Sequence, residues 1–311
     1  MDALLTEAFL TSLLFGAVTA GVPLLLAGLG EQISEKAGVL NIGIEGMMLF
    51  GAYCGFVAAY YSGSFWLGFL MGGIGGMAVA AIVVLLCIRF GLNQIVIGIG
   101  VTIGFEGLTA LLHFVQFSKT YPRLDQAPVW EVPGLSEIPI LGKALFSHSP
   151  IIYLSWALVL GLGWLFRSTY VGLNLESAGA KPAALDAAGV SVTATRAGAV
   201  LSTGFLAGLG GAYMANVGAG LFVPFMTGGA GFIGIVLAML ARGNPVWVLL
   251  GASLFGISLA MTTALQVAGI NIPTDVVQML PFAMVMLVLV IFARHSVLPP
   301  ALGLPYVRGD R

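Results

Sequence analysis

From Ser64 to Ile88 the chain reads SFWLGFLMGGIGGMAVAAIVVLLCI, 25 residues without a charge, closed by Arg89. A helix crossing a bilayer needs about 20 predominantly apolar residues, so this stretch is long enough to span. The same pattern repeats on both sides, with charges cutting the sequence into pieces of similar size. Earlier spans are expected at about Ala8 to Gly30, ending at Glu31 to Lys36, and at about Ala37 to Tyr61. Later ones follow at about Leu92 to Phe117, Ile151 to Phe166, Val246 to Val267 and Val276 to Ala293. Two more fill Ala197 to Ala241, where the glycines around Gly218 to Gly231 are expected to break a helix. The fold class is therefore all-α: one polytopic transmembrane bundle over 1–311, with about nine spans (eight to ten) and broken or re-entrant Gly-rich helices.

Composition supports this reading. Of 311 residues, 59% are hydrophobic and 8% charged, with a mean hydropathy of +1.04. Soluble domains carry about 25% charged residues, so a water-facing surface is not available from this set. Lipid is the expected surroundings. A net charge of −1 does not suggest a nucleic-acid partner, and none is expected. The 44 glycines suit close helix contact, and Gly68, Gly72 and Gly76 fall on one face of a helix. Gly100/Gly104 and Gly204/Gly208 repeat the spacing and are read the same way. Cys54 and Cys87 lie in apolar runs and read as packing residues. Met1-Asp2-Ala3 lacks the basic start of a signal peptide, so the first apolar run is kept as a span.

Lys and Arg concentrate in cytoplasmic loops, which orients the chain. With Arg167 to Arg196 inside, Lys36, Arg89, Arg167, Lys181, Arg196, Arg242, Arg294, Arg308 and Arg311 all fall inside. Lys119, Arg123 and Lys143 fall outside. This places the N-terminus outside and the C-terminus inside a cytoplasmic (inner) membrane. Tyr60, Tyr61, Trp66, Trp164 and Trp247 lie near proposed span ends, where interfacial anchors belong.

Enzyme signatures are missing. His113, His148 and His295 stand alone, without a second ligand at metal spacing, and no cofactor is expected on this chain. Gly142-Lys143 lacks the Ser/Thr of a phosphate loop. Gly229, Gly231 and Gly234 match GxGxxG but lie in a span, where that motif has no nucleotide-binding context. Intramembrane carboxylates are expensive and usually face a protein interior or a wet route. Glu45 and Glu106 are accordingly candidates for a translocation lining, with Asn41 and Asn93 beside them. The alternative is a carboxylate buried against a neighbouring helix, or one nearer the interface than these span borders place it. Phe222, Phe225 and Phe232 are candidates to stack on a flat ring, core packing being the alternative.

Two polar stretches stand out: an external one at about 118–149, with Pro122, Pro128, Pro133 and Pro139, and a cytoplasmic one at about 167–196. Within the second, Lys181 to Ala188 reads as a short helix, with Pro182 in its first turn and Gly189 at its C-terminal cap. Two turns are not stable alone in water and need a docking partner.

That stretch resembles the coupling segment of ABC importer permeases, in the branch for simple sugars, branched-chain amino acids and nucleosides. The matching residues are Gly172-Leu173, Ala178-Gly179, Pro182, Ala183-Ala184 and Ala187-Ala188-Gly189-Val190. Glu35-Lys36-Ala37-Gly38-Val39-Leu40-Asn41-Ile42-Gly43-Ile44-Glu45-Gly46-Met47-Met48 is the most specific match. Ser202 to Ala212 and Phe232 to Pro245 agree as well. The Glu35 to Met48 form is most similar to the smaller permease of nucleoside systems that use a basic membrane lipoprotein. Glu176-Ser177 departs from the family, where a basic and then a small residue are common.

The resemblance implies alternating-access import without a covalent step on this chain. It implies coupling through Gly172, Glu176, Lys181, Pro182, Ala183, Ala184, Asp186, Ala187 and Gly189. Implied partners are ABC ATPase subunits holding ATP and Mg, a second permease (the same chain or a homologue), and an extracytoplasmic binding protein or lipoprotein. Sugar or branched-chain amino-acid transport stays open within the family. A proton-coupled secondary transporter, with Glu45 or Glu106 as carrier, is the reading from another class.

Overall fold

The computed structural model describes residues 7–267, positions 279, 283, 286, 287 and 290, and the segment 298–306. The expected last span, Val276 to Ala293, falls outside the described residues except at those five positions, and His295, Arg294, Arg308 and Arg311 lie outside them.

Helix α1 (Glu7–Lys36) is the axis of the bundle, and all of 21–35 is buried. A helix apolar on every side needs neighbours on every side. Here they are α9 (Val192–Tyr213), α10 (Ala230–Ala241) and α11 (Pro245–Val267). The second layer sets α2 (Ile44–Ser62) against α3 (Phe65–Val83), α4 (Gln94–Phe117) and α9. Helices α3 and α9 each run on into π-helical turns, Val84–Arg89 and Met214–Ala219. After α4 come α5 (Leu141–Phe146), α6 (Pro150–Ser168), α7 (Tyr170–Ala180) and α8 (Pro182–Ala187). Among the described residues five helices are long and apolar enough to cross a membrane: Glu7–Lys36, Phe65–Arg89, Gln94–Phe117, Pro150–Ser168 and Val192–Ala219. The fold is mostly helical, and the nine-span count goes beyond these five.

Glycine sets how closely the helices approach. A Cβ on Gly76 of α3 would collide with the carbonyl of Gly204 on α9, and one on Gly208 with the carbonyl of Gly72. Gly51 of α2 meets the backbone of Gly208 in the same way. Gly100 and Gly104 face open space on α4, so among the described residues no helix packs there. That wall of α4 is apolar and exposed, with Val96, Ile103, Leu111, Phe114 and Val115 outward.

Three boundaries differ from expectation. The first helix does not stop at Gly30 but continues to Lys36, burying Glu31, Gln32, Ser34 and Glu35. The second begins at Ile44 instead of Ala37, because 37–43 forms a turn with Gly38 at φ +82°. The external stretch is not wholly irregular. It carries a two-stranded antiparallel ladder, β1 (Trp130–Glu131) with β2 (Ser147–His148), besides α5.

Chain direction brings Lys36, Arg167, Arg196 and Arg242 to one end of the bundle, called the basic end below. There the Lys36 ammonium lies 3.4 Å from Glu176 and 5.1 Å from the Phe166 ring centre. A Cβ on Gly243 would come within 2.9 Å of Lys36 Cε.

Candidate functional site

At the basic end, α6, α7 and α8 lead into α9. Thr169 starts α7 by accepting the Gly172 N–H on its hydroxyl at 3.2 Å. Gly172 then sits so close to α6 that a Cβ would strike the Leu165 carbonyl. Pro182 occupies the first turn of α8, where its missing N–H costs nothing. Lys181 caps the start through its carbonyl, which accepts the Ala184 N–H at 3.0 Å. Gly189, at φ +83°, closes the helix, and the Val190 N–H reaches back to the Leu185 carbonyl at 3.2 Å. This is the two-turn helix read from Pro182 and Gly189.

Leu185 of α8 is buried against Ala178 and Val192. Ala183, Ala184, Ala187 and Gly189 are exposed, Asp186 is half-buried, and Lys181 points outward. Glu176 is also exposed and makes the surface ion pair with Lys36, a contact of about 0–1 kcal/mol. The site is therefore a short helix that buries one leucine, with its small residues on the outer face. Such a face admits close backbone approach by another protein.

The proposed route residues are placed apart. Asn41 is buried in the α1–α2 turn, its backbone N–H given to Glu31 at 3.0 Å and its amide set against Met47 sulfur at 3.3 Å. Asn93 caps α4, accepting the N–H groups of Ile95 and Val96 at 2.9 and 3.2 Å. Glu106 is half-buried at the middle of α4, and its carboxylate has no hydrogen bond or ion pair among the described residues. Phe222 is fully buried, its ring 5.3 Å from Tyr53 and 5.7 Å from His113. Phe225 and Phe232 are exposed. The structure does not gather these side chains into one cluster.

Glu45 has a specific geometry. It is 2% exposed in the first turn of α2, and its two oxygens accept the N–H groups of Gly229 (2.8 Å) and Gly231 (2.7 Å). Those groups open α10, a helix of 12 residues and about 18 Å. Gly234 of α10 lies against Ala27 and Gly28, while Gly243, just past its end, lies against Lys36. Helix α10 therefore starts part-way along α1, after an irregular descent from Gly220. The unpaired N–H groups and positive dipole of a helix start attract an anion. Gly229 and Gly231 of that motif build a cradle for a carboxylate, and the carboxylate in it is the chain's own Glu45, while Gly234 packs on α1.

A second buried polar group escaped sequence reading. Arg196 is 3% exposed, and its guanidinium donates to three carbonyls: Ala37 (3.1 Å), Ala178 (3.1 Å) and Leu304 (2.7 Å). Its three acceptors lie on three separate segments, and no local spacing marks them. Among the described residues no group of three or more metal-ligating side chains occurs.

The fold describes a multi-pass helical membrane protein with a short exposed helix at its basic end. Residues 13–289 match the family described as branched-chain amino acid transport system permease component, and the chain belongs to that family. It is 41% identical over 254 residues to TsgC13 of Haloferax volcanii, covering 80% of this chain and 76% of that one; its name assigns it provisionally to glucose transport. It is 32% identical over 298 residues to the nucleoside ABC transporter permease NupC of Lactococcus lactis, covering 92% and 93%. Identity to the guanosine ABC transporter permease NupQ of Bacillus subtilis is 30% over 304 residues, covering 93% and 94%. No solved structure matches the chain. The chain is thus an ABC transporter permease, a transport component and not an enzyme.

Proposed function

We propose that this permease imports nucleosides by alternating access, driven by partner ATPases that contact α8. The observation that carries the coupling is the exposed face of Ala183, Ala184 and Ala187, presented at the basic end on one buried leucine. ATP and Mg stay on the partners. A second permease completes the cavity, and an extracytoplasmic binding protein delivers solute at the end that carries 118–149. The basic end faces the cytoplasm, which puts the N-terminus outside.

Nucleoside is preferred as solute because two relatives named for it match over nine-tenths of both chains. Glucose is the second reading, favoured by the 41% identity to TsgC13. Glu106 is the residue of this chain assigned to the route, since its carboxylate is unpaired within the described residues. Glu45 is assigned to holding α2 and the start of α10 together, since its oxygens are already taken. Competition decides between solutes. Uptake of labelled guanosine by the assembled transporter should be suppressed by unlabelled adenosine and not by glucose. Suppression by glucose alone would reverse the assignment.

A further inference from the structure

The segment 298–306 lies across the basic end and is bound there by backbone hydrogen bonds. The Ala301 N–H donates to the Gly179 carbonyl at the end of α7 (2.9 Å), and the Gly303 N–H donates to Gly38 in the α1–α2 turn (3.0 Å). Arg196, from the first turns of α9, reaches under the segment to the Leu304 carbonyl at 2.7 Å. Tyr306 packs on the Ala178, Leu185 and Val192 cluster that anchors α8. Three segments converge on Gly38: a Cβ there would stand 3.0 Å from Arg196 Nη2, 3.0 Å from Gly179 Cα and 3.2 Å from the Ala301 carbonyl oxygen.

We propose that 298–306 is a strap which, with Arg196 as its positioning residue, makes α8, the end of α1 and the start of α9 move as one body. The proposal rests on the coupling role of α8. Leu185 is the one side chain that α8 buries, and a helix of two turns needs contacts beyond its own length to hold its direction. The strap supplies such contacts. It ties the segment before α8 to the end of α1, and the buried guanidinium ties both to α9. Force applied by an ATPase to the alanine face then reaches the central helix instead of being lost in local tilting. The acceptors of Arg196 are all backbone carbonyls, so the clamp reads the position of the chain and not the identity of side chains.

The test uses the complete transporter in proteoliposomes, with solute imported per ATP hydrolysed as the readout. A merely structural defect lowers both rates together and leaves this ratio unchanged. Gly303 is at φ +75° with open space around it, so Gly303→Val strains only the strap's backbone. Arg196→Gln removes charge and two donors, and Arg196→Lys keeps the charge. Release of the strap is read separately by maleimide labelling of Ala301→Cys, a position 9% exposed, in a Cys54→Ala, Cys87→Ala background.

Gly303→Val and Arg196→Gln should speed labelling and lose most of the solute carried per ATP, while ATP hydrolysis persists. Arg196→Lys should recover part of the ratio. An unchanged ratio with a released strap would overturn the proposal, as would unchanged labelling in both variants or a proportional fall of both rates. Ala184→Trp separates the two levels. If it uncouples and the strap variants do not, only the strap falls. If it leaves the ratio unchanged, the coupling role of α8 falls, and the strap with it.

Discussion

Replacing Glu45 by Gln perturbs one hydrogen-bond pair and little else. The carboxylate accepts two N–H groups at 2.8 and 2.7 Å in a site 2% exposed. Glutamine keeps one acceptor oxygen but turns an NH2 toward the second N–H. One charge-assisted bond, about 1.5–3 kcal/mol, is lost. The attraction of an anion for a helix start, up to about 2 kcal/mol when partly buried, goes with it. Some of this is recovered by the remaining bond, which sets the net loss at about 2–4 kcal/mol. At roughly 2–4 °C per kcal/mol for a chain of this order, the apparent Tm should fall by about 4–16 °C. Thermal unfolding of the detergent-solubilised chain, followed by maleimide dye reaction with Cys54 and Cys87 as they become exposed, reads the shift. Transport should fall in proportion to the loss of folded protein. A wild-type Tm with transport abolished would refute this, because Glu45 would then be acting on the solute and not on α10.

Gly208→Ala should cost about 1–3 kcal/mol by overpacking, since its Cβ strikes the Gly72 carbonyl, and lower Tm in the same assay. Gly104→Ala, facing open space, should leave the Tm of the isolated chain unchanged or raise it slightly, as Ala is the better helix former. Ala184→Trp should abolish ATP-dependent uptake without reducing the amount of protein in the membrane, and normal uptake would remove α8 from coupling. His148 is buried, stacked on Phe15 at 4.4 Å, and burial holds its pKa below the ordinary 6.5. The unfolded chain takes up that proton first, so stability from neutral His148 is full above about pH 6.5 and falls as pH drops toward the folded value. Tm measured from pH 7.5 to 5 should therefore decline less steeply for His148→Phe than for the wild type, and parallel curves would exclude the effect.

The helices beginning near Phe65, Gln94, Pro150 and Pro245 were legible because charges or loop residues bracket long apolar runs. Helix α8 was legible because Pro182 and Gly189 have positional meaning at the two ends of a helix. The end of α1 was misread by the same charge rule: Glu31 to Lys36 contains no Gly or Pro to stop a helix, and its polar groups are buried against the turn that follows and against α9. Ser34, for instance, lies 2.6 Å from the Thr203 hydroxyl. Spacing identified a small-residue face at Gly100/Gly104 as well as at Gly204/Gly208, but spacing does not say what meets the face. Glu45 was recognised as a costly intramembrane carboxylate. Its partners, Gly229 and Gly231, lie some 185 residues away on the start of another helix, and only the fold brings them together. Arg196 read as one more basic residue of a cytoplasmic loop, since carbonyl acceptors leave no trace in a sequence.

The most direct measurement is uptake of a labelled purine nucleoside by proteoliposomes carrying this chain. The arms supply or omit the partner ATPase, binding protein and second permease, with ATP on the side of the basic end. Uptake that requires both ATP and the partners is the expected result. Uptake by this chain alone, driven by a proton gradient without ATP, would contradict it.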